Sequence, residues 1–248
     1  MAKKDEVIFL FDVDGTLTEP RKVITPDMLA FMNDLKTKVT VGLVGGSDFS
    51  KICEQMEGED TIKNYEYVFA ENGLVAYKAG ELIGKENLVH FMGEEKVQKF
   101  INHSLQLMST ISLPAKRGTF VEFRNGMLNI CPVGRSCTRE ERNQFSELDQ
   151  KEHIRQKMVE NFKKNFSEDE WAFVIGGQIS IDVFPTGWDK RYCLRYVENQ
   201  FKTIVFIGDK TYKGGNDHEI FDDSRTIGYT TDGPETTKKL VAEALAKV

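Results

Sequence analysis

Residues 7 to 18, VIFLFDVDGTLT, decide the fold: the apolar run Val7 to Phe11 leads straight into Asp12 and Asp14, followed by Gly15 and Thr16. A short β-branched and aromatic run of this kind predicts a strand buried on both faces, as central strands of parallel sheets are. Carboxylates at its C-terminal end then stand in the crevice where open α/β sheets bind ligands. Gly15 permits a sharp turn, so both carboxylates can face one cavity. Two carboxylates that close repel each other unless something neutralises them, and a hard divalent cation with oxygen ligands, Mg2+, is the expected partner. A polar turn after a strand would carry the same residues, so DVDG alone leaves both readings open. An EF-hand loop is excluded, because it needs a third ligand before its Gly and a Glu at the twelfth position.

Composition bounds the class. A chain of 248 residues exceeds the usual domain size of roughly 100 to 150, so one large or two smaller domains are expected. No apolar stretch approaches the roughly 20 residues of a membrane span, and MAKKDEV lacks the apolar segment of a signal peptide, so a cytoplasmic protein is expected. Cys53, Cys131, Cys137 and Cys193 have no CxxC spacing and read as reduced thiols. The net charge of -6 argues against a nucleic-acid partner. His90, His103, His153 and His218 are scattered and offer no zinc site. GGSDFS is not GxGxxG, and GELIGKE is one residue short of a P-loop and lacks its final Ser or Thr.

Along the first 80 or so residues the pattern is β-α-β-α-β. Thr25 and Pro26 predict an N-cap and first-turn Pro for a helix with Met28, Phe31, Met32 and Leu35 at helical spacing. Ser47 or Asp48 caps the next helix, which closes near Gly58, and YEYVFAENG ends a third strand. From about Glu81 to Pro185 the chain reads instead as helices and antiparallel strands, before the core pattern resumes with a helix from Trp188. Within that insertion, Glu94 to Ile111 places Val97, Phe100, Ile101, Leu105, Met108 and Ile111 on one helical face, as a packing surface. TFVEFRNGMLNICPV predicts a hairpin turning at Asn125 and Gly126 in a type I′ turn. Alternation puts Val121, Phe123, Leu128 and Ile130 on one face and Glu122, Arg124 and Asn129 on the other. In QISIDVF, Ile179, Ile181 and Val183 alternate with Ser180 and Asp182. A sheet with one wet face suits a lid over a polar ligand.

Arg124 ends a strand, Arg135 follows Gly134, and Arg142 lies in the first turns of a helix begun by Thr138 with Glu141 as its capping box. Three guanidinium groups can converge on one phosphate, each with a fork matched to its oxygens. Arg117, Arg139 and Arg155 lie in the same stretch, and a solvated surface side chain is the ordinary state of any single arginine.

The chain resembles the haloacid dehalogenase superfamily of phosphotransferases. Asp12 to Thr16 match its DxDGT motif, Ser47 in VTVGLVGGSD the second motif, Lys190 in GWDKR the third, and Asp209 and Asp217 in TIVFIGDKTYKGGND the acidic fourth. More narrowly, FDVDGTLT, VGGSDF, ENGLVAY, KRGTFVEFRNGMLN, GRSC, REER, GGQISIDVFP, GWDKRYCLR and GDKTYKGGNDHEIF are similar to the eukaryotic phosphomannomutases over nearly the whole chain. The resemblance implies an α/β fold: a Rossmann-like core (residues 1–82 and 187–248) with an inserted α/β cap of antiparallel sheet and helices (83–186). It also implies a cytoplasmic homodimer joined through the caps.

The activity so implied is that of an isomerase. It interconverts mannose 6-phosphate and mannose 1-phosphate, with glucose phosphates as further substrates, and supplies GDP-mannose synthesis. By the same resemblance Asp12 is the nucleophile that becomes an aspartyl phosphate, and Asp14 the general acid and base. Asp12, the backbone carbonyl of Asp14 and Asp209 ligate Mg2+, with Asp217 supporting from behind. Ser47 and Lys190 hold the transferring phosphoryl group, aided by Thr16 and Gly46. Arg124, Arg135 and Arg142 bind the phosphate that is not transferred, Ser180 and Asp182 the sugar hydroxyls, and Arg21 the substrate. A hexose 1,6-bisphosphate is the implied activator, and Phe221, Asp223 and Thr226 a second cation site. Two rivals remain from the residues themselves: a sugar phosphatase with the same four motifs, and a non-catalytic sugar-phosphate-binding protein.

Overall fold

In the computed structural model, which describes residues 5–248, the run Val7–Phe11 is strand β1, buried at every position. Then come β2 (Thr40–Val44), β3 (Tyr67–Ala70), β4 (Val75–Lys78), β5 (Glu81–Lys85), β6 (Val121–Phe123), β7 (Leu128–Ile130), β8 (Trp171–Gly176), β9 (Ser180–Pro185), β10 (Thr203–Gly208) and β11 (Thr226–Thr230). Two units result, one comprising the chain up to Lys85 together with Trp188–Val248, the other Glu86–Gly187.

The first unit holds a seven-stranded sheet in the order β11-β10-β1-β2-β3-β4-β5. β1 runs parallel to β10 on one side and β2 on the other, with Phe11 level with Ile207 and Leu43. Parallel alignment brings the C-terminal ends of all three strands to one edge of the sheet, and each end is where a motif begins. Thr25 caps the helix Pro26–Lys38 by accepting from the Met28 amide at 3.3 Å, and that helix buries Met28, Met32 and Leu35. Asp48, not Ser47, caps the helix Phe49–Gln55, accepting from the Lys51 amide at 2.9 Å.

Two boundaries differ from expectation. β5 belongs to this sheet, so the core runs through Lys85 rather than residue 82. The cause is the turn between β4 and β5, where Ala79 (φ 48°) and Gly80 (φ 83°) are both left-handed and return the chain along the same edge. After Trp188 the expected helix is a 3-10 helix, Lys190–Tyr196, capped by the Asp189 carboxylate, which accepts from the Arg191 amide at 3.0 Å.

In the second unit the antiparallel sheet β6-β7-β9-β8 turns Leu128, Ile130, Ile181 and Val183 toward a core shared with the helices Glu94–Thr110 and Ile154–Asn165. Phe100 lies at its centre, with ring centroids of Phe162, Phe166, Trp171 and Phe173 all within 5.9 Å. The helix Glu94–Thr110 buries Val97, Phe100, Ser104 and Met108, whereas Leu105 is 45% exposed. Ser104 replaces it at the packed position because its hydroxyl donates to the Phe100 carbonyl at 2.9 Å. The hairpin has the expected register, Glu122 opposite Asn129, but neither Asn125 nor Gly126 has the positive φ of a type I′ turn. Tertiary bonds override local preference: Asn125 donates its side-chain amide to the Glu86 carbonyl at 2.9 Å and accepts from the Leu88 amide at 2.8 Å. Arg155, which local sequence would leave in solvent, is buried, paired with Asp149 at 2.7 Å and bonded to the carbonyls of Gly177 and Ser180.

Truncating the centre of the second core should leave a void that its rings cannot close. Phe100→Ala is expected to destabilise this unit by about 3–5 kcal/mol in urea denaturation.

Candidate active site

At the C-terminal end of β1 the Asp12 amide continues the ladder, donating to the Ile207 carbonyl at 3.0 Å, and its side chain turns into the protein with 4% exposure. There it meets Lys190, whose ammonium donates to the carboxylates of both Asp12 and Asp217. Lys190 and Asp217 are fully buried. An ammonium taken out of water is tolerable only when paired and hydrogen-bonded. Burial alone would lower its pKa, but the charges of Asp12 and Asp217 outweigh burial and raise it, so Lys190 stays charged. Burial raises the Asp12 carboxyl to about 6, with Lys190 pulling down and Asp217 pushing up. The other oxygen of Asp217 accepts from the Lys210 amide at 3.0 Å. Gly208 makes room for it, since a Cβ there would lie 2.6 Å from Asp217 Oδ2.

Asp209 completes an acidic triad with Asp12 and Asp217, in which one oxygen from each lies within 4.8 Å of the others. Its Oδ1 is buried without a partner, and burial raises its pKa. Three carboxylates face the buried ammonium of Lys190 and the part-exposed ammonium of Lys210, 3.5 Å from Asp209 Oδ2, which leaves one negative charge and an orphaned acceptor. That donor set fits a hard divalent cation. Gly15 (φ 92°) passes so close that a Cβ would stand 2.5 Å from Asp209 Oδ2, which explains the glycine at this turn.

A cavity of about 280 Å³ opens beside the triad, lined by Asp12, Asp14, Gly46, Ser47, Gln55 and Asn216 among others. Asp14 is held at one oxygen, Oδ1, which accepts from the Arg21 amide at 2.6 Å and the Gln55 side-chain amide at 2.8 Å. Ser47 sits at the rim, its carbonyl accepting from the Glu71 amide at 2.9 Å. The structure thus places Asp12, Asp14 and Ser47 on one cavity, and Asp12 joins that cavity to Lys190, Asp209 and Asp217, which do not line it. Thr16 does not line it: the residue is fully buried, its hydroxyl has no partner, and its carbonyl accepts from Thr237 at 2.9 Å. Sequence reasoning missed Gln55, Lys210 and Asn216, which line the cavity.

In the second unit, Arg124 and Arg135 converge on Glu122, Arg124 Nε at 2.6 Å from Oε2 and Arg135 Nε at 3.1 Å from Oε1. Arg135 also donates to Asn129 Oδ1 at 2.9 Å, and Asn129 in turn to Asp182 Oδ1 at 2.6 Å. Ser180 is buried two residues before Asp182 on β9. Arg142 sits in the helix Arg139–Glu152, begun by the Thr138–Glu141 capping box, where its amide donates to the Thr138 carbonyl at 3.0 Å. Phe221, Asp223 and Thr226 lie around the turn between the helix His218–Phe221 and β11. Both Asp223 oxygens are taken by Arg225 at 2.8 Å, and the Thr226 hydroxyl donates to the Ile220 carbonyl at 2.5 Å, beside Phe221 at the end of its helix.

The fold and this site define a phosphotransferase core of the haloacid dehalogenase type. Solved structures agree on the fold: the Plasmodium falciparum IMP-nucleotidase bound to IMP superposes with a TM-score of 0.64 at 16% identity, over 98% of this chain and 68% of that one. Aspergillus fumigatus trehalose-6-phosphate phosphatase superposes with a TM-score of 0.56 at 18% identity, over 98% and 94%. The sequence profile of the eukaryotic phosphomannomutases matches residues 28–247. Phosphomannomutases of Dendrobium officinale and Drosophila melanogaster are 58% and 50% identical, over 93% and 98% of this chain and 91% and 97% of theirs. The chain belongs to the eukaryotic phosphomannomutase family.

Removing the ammonium leaves two buried carboxylates facing each other. Lys190→Met should therefore destabilise the first unit by about 3–5 kcal/mol in urea denaturation, and unchanged stability would contradict the ion triad.

Proposed function

We propose that this phosphomannomutase works through an aspartyl phosphate on Asp12, with Asp14 moving the proton. The observation that supports it most is the convergence of the Asp12 and Asp14 carboxylates on one cavity beside a buried Lys190. Asp12 attacks the phosphorus of a hexose 1,6-bisphosphate, the activator. Asp14 protonates the sugar oxygen as its bond to phosphorus breaks, and afterwards takes the proton from the hydroxyl that attacks the aspartyl phosphate. Lys190 keeps Asp12 ionised and oriented, and the Ser47 hydroxyl with the neighbouring backbone of Gly46 binds the transferring phosphoryl oxygens. Asp12, Asp209 and the Asp14 carbonyl, supported by Asp217, would hold Mg2+, which would supply charge neutralisation for the phosphoryl group.

Moving phosphate between O1 and O6 requires the intermediate to be held in two orientations, with either phosphate as the one that stays. Arg124, Arg135 and Arg142 take that phosphate, and Ser180 and Asp182 the sugar hydroxyls, with Arg21 contributing from the first unit. The support is chemical: two of these arginines already bind one carboxylate, Glu122, Arg124 through Nε and Nη2 and Arg135 through Nε, and such donors suit a phosphate as well. Phe221, Asp223 and Thr226 form a second cation site in this reading. Homodimerisation through the second unit, cytoplasmic location, action on glucose phosphates and supply of GDP-mannose synthesis complete it, on family resemblance. Among the described residues no helix is long and apolar enough to cross a membrane.

The test is phosphorus NMR of the protein with mannose 1-phosphate, Mg2+ and a trace of glucose 1,6-bisphosphate, beside an Asp12→Asn variant. Mannose 6-phosphate should grow at constant total ester, and the variant should be inactive. Growth of inorganic phosphate that no bisphosphate suppresses would instead establish a sugar phosphatase.

A further inference from the structure

We infer that Gln55 is a positioning residue for the proton transfer: its side-chain amide fixes which oxygen of Asp14 carries the proton. The inference rests on the mutase reading above and deepens it. Gln55 is the last residue of the helix Phe49–Gln55 and is 4% exposed, although glutamine at a helix end ordinarily lies in water. It is fastened from both sides. Its carbonyl accepts from the Ile24 amide at 2.8 Å, and its Nε2 reaches Asp14 Oδ1 at 2.8 Å and the Thr18 hydroxyl at 3.5 Å.

Against an ionised carboxylate only the NH2 side of an amide is favourable, because the carbonyl side would set two acceptors together. The second donor to the same oxygen is the backbone amide of Arg21, a residue held at φ 64°. Two N–H groups therefore converge on Oδ1, and no proton can sit on that oxygen without displacing one of them. Among the described residues Oδ2 has no hydrogen-bond partner, and it is not sealed from solvent. It is the oxygen left to carry the proton. When Asp12 attacks, one oxygen of its carboxylate bonds to phosphorus and the bond from phosphorus to the sugar oxygen breaks. The electron pair stays on that oxygen, which takes the proton from Asp14 Oδ2, and Asp14 becomes the carboxylate that Gln55 and Arg21 already solvate. On the return step the same oxygen recovers the proton from the attacking hydroxyl. Gln55 touches no reacting atom in this scheme.

A leaving group that needs no proton separates this role from simple structural support. Acetyl phosphate releases acetate, which departs as the anion, whereas glucose 1,6-bisphosphate releases an alcohol and needs the acid. Rapid-quench measurement of phosphoenzyme formation from each donor, with Mg2+ present, gives two rates on one preparation, so any partial misfolding cancels in their ratio. Gln55→Met keeps the bulk and removes the donor. It should slow transfer from glucose 1,6-bisphosphate by about 10- to 100-fold, the weight of one hydrogen bond to a charged group, and transfer from acetyl phosphate by about threefold at most. Gln55→Glu, which keeps the length and presents oxygen to Asp14, should show the same selectivity. Equal slowing with both donors, or no slowing with either, would overturn the positioning role. A wild-type protein that forms no phosphoenzyme from either donor would overturn the mutase reading along with it.

Discussion

A lysine ammonium with no exposure to solvent, shared between Asp12 and Asp217, is the interaction on which the first unit is organised. Buried ion pairs seldom add net stability, because desolvation of the charges consumes most of the attraction. Three distant segments must meet to form this one: the end of β1, the 3-10 helix after Trp188 and the loop after β10. The parallel register of β1 with β10 makes that meeting possible, and Gly208 lets Asp217 approach the strand end closely. The site therefore sits where the fold stores its electrostatic cost. Asp12 is held ionised by a partner that cannot leave, while Asp209, with a buried oxygen lacking any partner, leaves the cluster short of positive charge.

The second unit solves a different problem. Its sheet is apolar on one face and carries Glu122, Asn129 and Asp182 in register on the other, so cross-strand pairing alone lines up acceptors and amides for the arginines at its edge. Glu122 holds the Arg124 and Arg135 guanidinium groups side by side, which restricts the freedom of both side chains. Beneath this polar face lies the aromatic cluster around Phe100, the rigid support for those positions.

Much of this was legible in the sequence because polar residues interrupt apolar runs only at strand ends. Asp12 after VIFLF, Ser47 after TVGLVGG and Asp209 after IVFIG each announce the edge where ligands bind. Lys190 and Asp217 follow no apolar run and were legible through family motifs alone. Gln55 was not visible, since a glutamine among Cys53, Glu54 and Met56 reads as an ordinary helix residue, and only the fold shows its amide buried against Asp14. β5, ELIGK, reads as polar linker because it is an exposed edge strand, and its place in the sheet depends on the left-handed pair Ala79 and Gly80. Arg155 looked like a surface arginine because its partners, Asp149 and the carbonyls near β9, come from other elements. Asn125 and Gly126 carry a strong local turn signal, and contacts to Glu86 and Leu88 overrule it.

The central claim is that the carboxylates around Lys190 carry an uncompensated charge that a divalent cation completes. Calorimetric titration of Mg2+ into the wild-type protein and into Asp209→Asn tests it without reference to turnover. Binding by the wild-type protein is expected, with a loss of at least about 10-fold in affinity in the variant, since a direct ligand should matter no less than groups that merely support one. Equal affinity in the two proteins would contradict the charge balance from which the mechanism starts.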